Sequence, residues 1–196
     1  MKAKLRKELR AKRRAIRPAD HRLRSNLAAS SITRLPAFKA GARVAVYLPF
    51  DRETNTAALL IAARRRRVEI FVPVVSDLRH RRLRFYPLTG KTRRGVFGIS
   101  VPHGIPRDAH GPRWFNLIVV PLVGVDGAGR RLGMGGGFYD RALAFRRNRH
   151  HWMGPRLVGL AFDCQRTATV YADVWDVRLD ALATETGAVH FARDRQ

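Results

Sequence analysis

The residues with the clearest chemistry form a glycine-rich stretch, residues 130–141, which reads RRLGMGGGFYDR and is called the glycine segment below. Glycine lets a backbone approach a phosphate group closely and adopt positive φ, and the free N–H groups of such a loop bind anions. Arg131 can add a charge-assisted contact to a phosphate, and Asp140 can hold a magnesium ion that bridges phosphates. The segment therefore predicts a phosphate-binding site, with a plain glycine-rich surface loop as the alternative.

The spacing of the glycines excludes two common phosphate motifs. Gly133, Gly135 and Gly137 give G-x-G-x-G, which is not the dinucleotide-binding pattern, and no lysine followed by serine or threonine completes a P-loop. Gly90-Lys91-Thr92 has the lysine and threonine, but Phe85 stands where a P-loop needs its first glycine. We predict a simple turn there.

The elements around the glycine segment would place it at a ligand-binding edge. Residues 116–123 (NLIVVPLV) are an almost continuous apolar run, typical of a parallel strand buried on both faces. A helix is predicted to follow the segment, over residues 138–147. Because ligands of open α/β sheets bind beyond the carboxyl ends of the strands, we expect the site at that edge.

The rest of the chain alternates in the same way. Strands are predicted at residues 43–48, 68–75, 83–86, 116–123, 157–162 and 188–191, and helices at 4–17, 20–34, 56–66 and 138–147. This alternation predicts an α/β layered domain with a mostly parallel sheet flanked by helices, preceded by basic N-terminal helices. At about 150 residues per domain, the 196 residues are predicted to form a single domain in which residues 1–34 pack on the rest.

The chain is strongly basic. It has 39 lysines and arginines against 15 acidic residues, a formal net charge of +24, and 33 of the 39 are arginines. Such a charge concentrates anions around a protein, so nucleic acid, nucleotides and polyanionic metabolites are all candidate ligands. A genome rich in G and C also produces arginine excess. The N-terminal helices are accordingly either a solvated basic surface or an arm that contacts anions.

The sequence also indicates a compartment. Cys164 is the one cysteine, so no intramolecular disulfide can form. Residues 1–16 are basic but lack the apolar core of about 7–15 residues of a secretory signal, and no run of about 18 apolar residues predicts a membrane span. We therefore predict a cytoplasmic protein. The seven histidines lack metal-ligand spacing, and His150 and His151 are predicted to lie in a surface loop.

The complete glycine segment, in its strand–loop–helix setting, resembles the signature of the 5-formyltetrahydrofolate cyclo-ligase family, whose members are also called 5,10-methenyltetrahydrofolate synthetases. Further matching segments occur in the family's order and cover nearly the whole chain. They are the basic N-terminal helix, residues 47–50 with Glu53 and Thr56, and residues 72–74, 121–126, 162–165 and 175–177.

The resemblance implies an ATP- and Mg²⁺-dependent, irreversible conversion of 5-formyltetrahydrofolate to 5,10-methenyltetrahydrofolate, with release of ADP and phosphate. The formyl oxygen attacks the γ-phosphate, N10 closes the ring, and phosphate leaves. Such a reaction needs positioning and charge neutralisation more than a protein nucleophile. That fits a sequence without an evident Ser/His/Asp or Cys/His arrangement.

The resemblance also assigns roles to residues. ATP contacts fall on Lys2, Ala3, Lys4, Leu5, Arg6, Arg131, Leu132, Gly133, Met134, Gly135, Gly136, Gly137, Phe138 and Tyr139. Folate contacts fall on Phe50, Glu53, Asn55, Met134, Gly135, Gly136, Gly137 and Phe138, with Phe50 able to stack on the pterin. Arg131 and Tyr139 are the candidate catalytic residues, although Tyr139 can also be a core residue under the loop. Magnesium is assigned to Asp140 and Asp180.

Some positions depart from the family's pattern. Many members have a carboxylate where Asn55 stands, and many have a lysine or arginine where Met134 and Gly136 stand. Val101 precedes Pro102 where glutamate is common. The phosphate-neutralising charge is then expected from Arg130, Arg131 or the N-terminal helix.

Two rival functions stay open. One is an RNA-binding basic module, although residues 1–34 contain no aromatic side chain for base stacking. The other is a phosphotransferase that acts on another anionic small molecule. Arg64 to Arg67 form either a solvated helix end or a contact for the glutamate tail of folates. We expect a monomer whose contact with nucleic acid is non-specific and which does not contact membranes.

Overall fold

The structure is a computed structural model and describes residues 1–88, 90–103, 109–147 and 154–192. The helices are α1 (Lys2–Arg14), α2 (Pro18–Thr33), α3 (Ala57–Arg65) and α4 (Phe138–Ala142). The strands are β1 (Arg43–Ala45), β2 (Glu69–Asp77), β3 (Arg82–Pro87), β4 (Thr92–Arg94), β5 (Ser100–Pro102), β6 (Leu117–Val120), β7 (Gly124–Val125), β8 (Arg131–Leu132), β9 (Arg156–Leu160), β10 (Ala181–Thr184) and β11 (Gly187–His190).

Seven strands form one sheet in the order β11-β10-β9-β6-β1-β2-β3. The five inner strands are parallel, while β3 and β11 are antiparallel to their neighbours at the two edges. The pairs β4–β5 and β7–β8 are separate antiparallel hairpins. The predicted α/β fold with a mostly parallel sheet is confirmed.

Both faces of the sheet are covered, because side chains of successive strand residues point to opposite faces. On one face Val44 and Val119 pack with Ile32 of α2 and Leu59 of α3. On the other face Ile118 and its neighbours pack with buried aromatic side chains and with Leu143, just after α4. Central strand β6 is buried along its whole length, as its apolar sequence predicts.

Helix α1 packs at the carboxyl edge of the sheet. Leu9 is buried in a small cluster with Val123, Leu132 and Val170. Gly124 has no space for a side chain, because a Cβ there would lie 2.3 Å from Cδ1 of Leu9. The basic N-terminal helix is therefore fixed against the edge where the site was expected.

The structure differs from the predicted elements at several places. Helix α4 ends at Ala142 rather than residue 147, because the chain turns there so that Leu143 enters the core and a 3₁₀ turn, Ala144–Arg146, follows. Strand β10 was not predicted, and the predicted loop at 124–137 contains the β7–β8 hairpin. His150 and His151 lie outside the described residues. Within the described ranges, no helix is long and apolar enough to cross a membrane.

Candidate active site

A cavity of about 1510 Å³ opens at the carboxyl edge of the parallel strands. Its floor is formed where β1 and β6 end, at Tyr47, Leu48 and Pro121. Residues 73–75 of β2 and Leu83 of β3 form one wall, and the glycine segment forms another. The first turns of α1 reach the cavity through Lys2 and Arg6. This is the position where α/β sheets bind ligands.

The glycine segment offers the cavity an anion-binding surface. All residues from 131 to 140 line the cavity. Gly135 and Gly137 have φ values of 105° and 69°, conformations that favour glycine. Within the described part of the chain, the backbone N–H groups of residues 133–137 donate no hydrogen bond. Arg6 donates from Nε to the carbonyl oxygen of Gly133 at 2.8 Å, which places a cation beside these amides.

Cations and carboxylates at this end of the cavity are paired with each other. Buried Arg131 donates from Nη2 to Oδ1 of Asp140, and its guanidinium carbon lies 5.7 Å from the centre of the Tyr139 ring. Lys2 bonds through Nζ to Asp173 and, at 3.2 Å, to Oδ2 of Asp176. A bound phosphate could replace a carboxylate as the partner of Lys2 or Arg131. A bound divalent metal could replace a cation as the partner of the aspartates.

Of the N-terminal residues assigned to ATP, Lys2 and Arg6 line the cavity. Ala3 and Lys4 are exposed and lie outside its lining. Leu5 packs against the Leu9 cluster instead.

A second part of the cavity lining is apolar and aromatic. Phe50 is 37% exposed and lines the cavity, as do exposed Met134 and Phe97. The rings of Phe97 and Phe138 meet edge to face at 6.2 Å, so the β4–β5 hairpin lies close to the glycine segment. An apolar cleft with few polar groups is typical of sites for planar organic ligands.

A strained turn holds Phe50 and Glu53 in the cavity. Asp51 and Arg52 both have positive φ, at 48° and 59°, a conformation that costs non-glycine residues on the order of 1–3 kcal/mol each. Arg13 donates to the carbonyl oxygen of Asp51 at 2.7 Å, and Arg14 donates to its carboxylate at 2.6 Å. The end of α1 therefore stabilises this turn, which we call the 50–53 turn.

Glu53 is the buried acid of the site. Its side chain lines the cavity, the residue is 7% exposed, and Oε2 accepts the N–H of Phe50 at 3.1 Å. Burial raises the pKa of Glu53 to about 7. The nearby Tyr139 hydroxyl is buried, and burial together with the Glu53 charge raises its pKa. Glu53 therefore exchanges a proton near neutrality, whereas Tyr139 keeps its proton.

The structure does not bring Asn55 or Asp180 to the cavity. Asn55 is exposed, and its Oδ1 accepts the N–H of Ala57 at 2.8 Å at the start of α3. Asp180 lies at the opposite edge of the sheet, where it accepts hydrogen bonds from Arg146 and from the Leu157 N–H at 2.8 Å each. Of the two aspartates assigned to magnesium, Asp140 therefore lines the cavity, whereas Asp180 lies away from it and is left out of the site proposed below.

Several cavity residues were not predicted. Asp173, Trp175 and Asp176 line the cavity close to Lys2, and Asp140 accepts the N–H of Val177 at 3.5 Å. The Trp175-Asp176-Val177 segment was noticed only as part of the family resemblance. The cavity is also lined by Arg81, Arg93, Arg94, Arg141 and Arg147. Arg93 and Arg94 lie in strand β4 of a hairpin that the sequence pattern did not show.

Fold and cavity together define an α/β protein with a glycine segment of free backbone amides beside apolar and aromatic side chains. A family model described as the 5-formyltetrahydrofolate cyclo-ligase family matches residues 1–185. The chain therefore belongs to this family of ligases, and the resemblance drawn from its sequence is confirmed.

Individual relatives agree with the family. The 5-formyltetrahydrofolate cyclo-ligase of Escherichia coli K12 is 32% identical over 178 residues, covering 90% of this chain and 96% of the relative. The enzyme of that name from Haemophilus influenzae is 31% identical, covering 86% and 95%. An NMR structure of Aquifex aeolicus 5,10-methenyltetrahydrofolate synthetase superposes with a TM-score of 0.81 at 29% identity, covering 100% of this chain and 95% of that one. A Mycoplasma pneumoniae synthetase, at 21% identity and a TM-score of 0.73, shares the fold.

Proposed function

We propose that this chain uses ATP and Mg²⁺ to cyclise 5-formyltetrahydrofolate to 5,10-methenyltetrahydrofolate, releasing ADP and phosphate. The main support for the proposal is that one cavity contains two chemically different surfaces. The glycine segment suits phosphates, and the Phe50 side suits a flat heterocycle. The family and the names of its curated members supply the folate substrate, and ATP is the co-substrate that we propose for the glycine segment.

At the nucleotide end, the free amides of residues 133–137 and the cations of Lys2, Arg6 and Arg131 would hold the triphosphate. Oriented amides and charged donors bind phosphate strongly when both point into one cavity. Lys2 and Arg131 would exchange their present carboxylate partners for phosphate oxygens. The lysine or arginine that many family members carry within the glycine segment is thus replaced here by cations from α1 and β8.

At the folate end, Phe50 would stack on the pterin, with Met134 and Phe138 on the side of the glycine segment. Glu53 supplies the polar group of this wall. Asn55 is left out of our proposal, because its side chain holds the start of α3.

The carboxylates of the cavity fit a magnesium ion. Asp140 and Asp176 both line the cavity, and the N–H of Val177, next to Asp176, bonds to Asp140. Within the described ranges, no three histidine, cysteine, aspartate or glutamate side chains are grouped to hold a metal by themselves. That suits Mg²⁺, which keeps waters and is held by one or two carboxylates and by substrate phosphates. When bound, it neutralises phosphate charge.

The chain's task in this reaction is positioning. The formyl oxygen must lie in line with the γ-phosphorus, and closing the cavity around both substrates replaces a bimolecular encounter by an intramolecular one. Phosphoryl transfer creates charge on the phosphate oxygens, and Arg131 with the loop amides would stabilise it. N10 of the folate then displaces the phosphate from the formyl carbon.

The test is to mix the purified protein with 5-formyltetrahydrofolate and Mg²⁺, with and without ATP, and to follow the near-ultraviolet absorbance of the methenyl product. We expect the band to appear only with ATP. No band from folded protein that binds ATP would contradict the folate assignment and favour a phosphotransferase for another substrate.

For the metal, Asp176→Asn is expected to raise the Mg²⁺ concentration needed for half-maximal turnover by about tenfold or more, the typical effect of altering a metal site. The matched control is Asp163→Asn, since Asp163 does not line the cavity. The same Mg²⁺ dependence in both variants would contradict the assignment.

A further inference from the structure

Unpartnered buried polar atoms gather around Glu53. Among the described residues, the buried side-chain nitrogen and oxygen atoms without a hydrogen-bond partner are Arg10 Nε, Arg13 Nε, Thr54 Oγ1 and Tyr139 OH. Arg10, Arg13 and Tyr139 all interact electrostatically with Glu53, and Thr54 is the next residue in the chain. An unsatisfied buried polar atom costs on the order of 1–3 kcal/mol. Of these four residues Tyr139 lines the cavity together with Glu53, so a ligand in the cavity can complete the bonding of the Tyr139 hydroxyl.

The Glu53 carboxyl group lies in the cavity close to both Phe50 and Tyr139, because it accepts the N–H of Phe50 and interacts electrostatically with Tyr139. The 50–53 turn carries it on the side of Phe50, while Tyr139 stands at the end of the glycine segment beside Arg131. Its Oε2 accepts the N–H of Phe50, and within the described part of the chain Oε1 accepts no hydrogen bond. Glu53 therefore faces the region where the folate and the γ-phosphate must meet.

Glu53 also differs from the other cavity carboxylates. Asp140 is paired with Arg131, and Asp173 and Asp176 are paired with Lys2. Glu53 forms no direct ion pair with any described residue. Its lone electron pairs are thus available to a substrate proton, whereas those of the three aspartates are engaged by cations.

Ring closure releases one proton at this place. On the proposed function, the formyl oxygen bonds to the γ-phosphorus as the bond from phosphorus to the ADP oxygen breaks. The lone pair of N10 then bonds to the formyl carbon, the N10–H proton is lost, and the carbon–oxygen bond breaks as N5 restores its double bond to carbon. The released HPO₄²⁻ carries the formyl oxygen, and the N10 proton balances its charge.

We propose that the Glu53 carboxylate is the base that takes this proton from N10 and passes it on to the departing phosphate or to water. This inference rests on the proposed function. Tyr139, whose buried hydroxyl has no hydrogen-bond partner among the described residues, donates from that hydroxyl to an oxygen of the same reacting group. Glu53 is accordingly a catalytic residue, and not only a contact for the pterin.

The charges around Glu53 allow it to work near neutral pH. The titratable and charged groups that face it are Arg10 and Arg13 from α1, Tyr47 after β1, Asp51 in its own turn and Tyr139 from α4. His21 of α2 contacts the backbone carbonyl of Glu53 at 3.2 Å. With a pKa near 7, the carboxylate form increases through neutrality, so turnover should rise with pH in the same range.

The experiment compares wild type with Glu53→Gln, Glu53→Asp and the control Glu69→Gln, whose glutamate is exposed at the start of β2. Methenyl formation is measured from pH 5.5 to 8.5, with kcat and KM determined separately for both substrates. Loss of a general base typically costs about 10²–10⁴-fold in rate. We expect Glu53→Gln to lower kcat by about 100-fold or more, to leave both KM values within about threefold, and to lose the rise through pH 7.

Glu53→Asp should retain part of the rate and the rise with pH, because it keeps a carboxylate, and Glu69→Gln should match wild type. If Glu53→Gln retains kcat, or raises only the KM for the folate while the pH profile persists, the proposal is overturned. If Glu53→Gln does not fold, Glu53→Asp decides, because loss of the pH-dependent rise in a folded carboxylate variant would contradict it. Absence of a methenyl band from wild type is a separate result that refutes the proposed function.

Discussion

At the residue scale, the site depends on side chains that the fold holds away from their ordinary surroundings. Glu53 is buried beside two tyrosines and under the arginines of α1, and its turn contains two non-glycine residues at positive φ. Strain and buried polar groups gather at functional sites because the rest of the fold can stabilise them. Arg13 and Arg14 perform that task here by binding Asp51.

The raised pKa of Glu53 predicts a pH-dependent stability. The pKa of Glu53 rises from 4.5 in the unfolded chain to about 7 in the fold. The contribution of this group to the free energy of unfolding is therefore fully present below about pH 4.5, and it is lost as pH rises through about 7. Glutamine cannot ionise. Glu53→Gln should therefore gain free energy of unfolding relative to wild type between pH 5 and 8, by up to about 3 kcal/mol.

The measurement is urea unfolding of both proteins at a series of pH values, with Glu69→Gln as the exposed control. A difference that stays constant with pH would contradict the raised pKa. A Glu53→Gln variant that becomes less stable than wild type as pH rises would instead show that the carboxylate is held charged by Arg13.

At the element scale, two kinds of segment build the cavity. Parallel strands β1 and β6 end at its floor, and non-repetitive segments between them carry the functional groups. This division is usual, because loops can vary while the sheet fixes their starting points. Helix α1 contributes to both the core and the cavity, since Leu9 is buried in a hydrophobic cluster while Lys2 and Arg6 line the cavity.

The backbone of the glycine segment gives a prediction at this scale. Gly135→Ala places a side chain at φ 105°, and its Cβ would lie 3.7 Å from the guanidinium carbon of Arg6. Gly133→Ala is the matched control, because Gly133 has no atom within 4 Å of a Cβ and no left-handed φ. We expect Gly135→Ala to raise the apparent KM for ATP by about tenfold, since a misplaced amide costs about 1–2 kcal/mol, while Gly133→Ala changes it little.

Isothermal titration with a non-hydrolysable ATP analogue checks the same point without turnover. Equal affinities of the two alanine variants would contradict the view that the left-handed backbone at residue 135 shapes the phosphate site. Circular dichroism of both variants establishes that they are folded.

Much of the element pattern could be predicted from the sequence, because buried parallel strands are long apolar runs with turn residues at their ends. Strand β10 was missed since Ala181–Thr184 is short and contains small residues. Helix α4 was predicted too long because the apolar spacing continues through Leu143, which belongs to the core but not to the helix.

Asp176 lines the cavity and Asp180 does not, for a geometric reason. The two aspartates are four positions apart in one segment, and buried Val177 and Leu179 carry that segment across a face of the sheet. Asp176 thus stays at the cavity, whereas Asp180 reaches the opposite edge before β10 begins. The sequence identified this segment but not which of its aspartates lines the cavity.

At the scale of the whole molecule, the charge of +24 surrounds a cavity that would receive two anionic substrates. Such a field increases the rate at which anions arrive and weakens with salt. Non-specific contact with nucleic acid, a monomeric state and a cytoplasmic location stay predictions. None of them is needed for the cavity to bind its proposed substrates, since all of the proposed contacts lie in one chain.

In the proposed reaction, one cavity brings the formyl oxygen of the folate to the γ-phosphorus of ATP. The most direct test uses 5-formyltetrahydrofolate labelled with ¹⁸O in the formyl group, turned over with ATP in unlabelled water, with re-isolated substrate as the control for exchange. We predict that the inorganic phosphate carries the label, one atom for each methenyl product formed. Methenyl product accompanied by unlabelled phosphate, with the label retained in unreacted substrate, would contradict the claim.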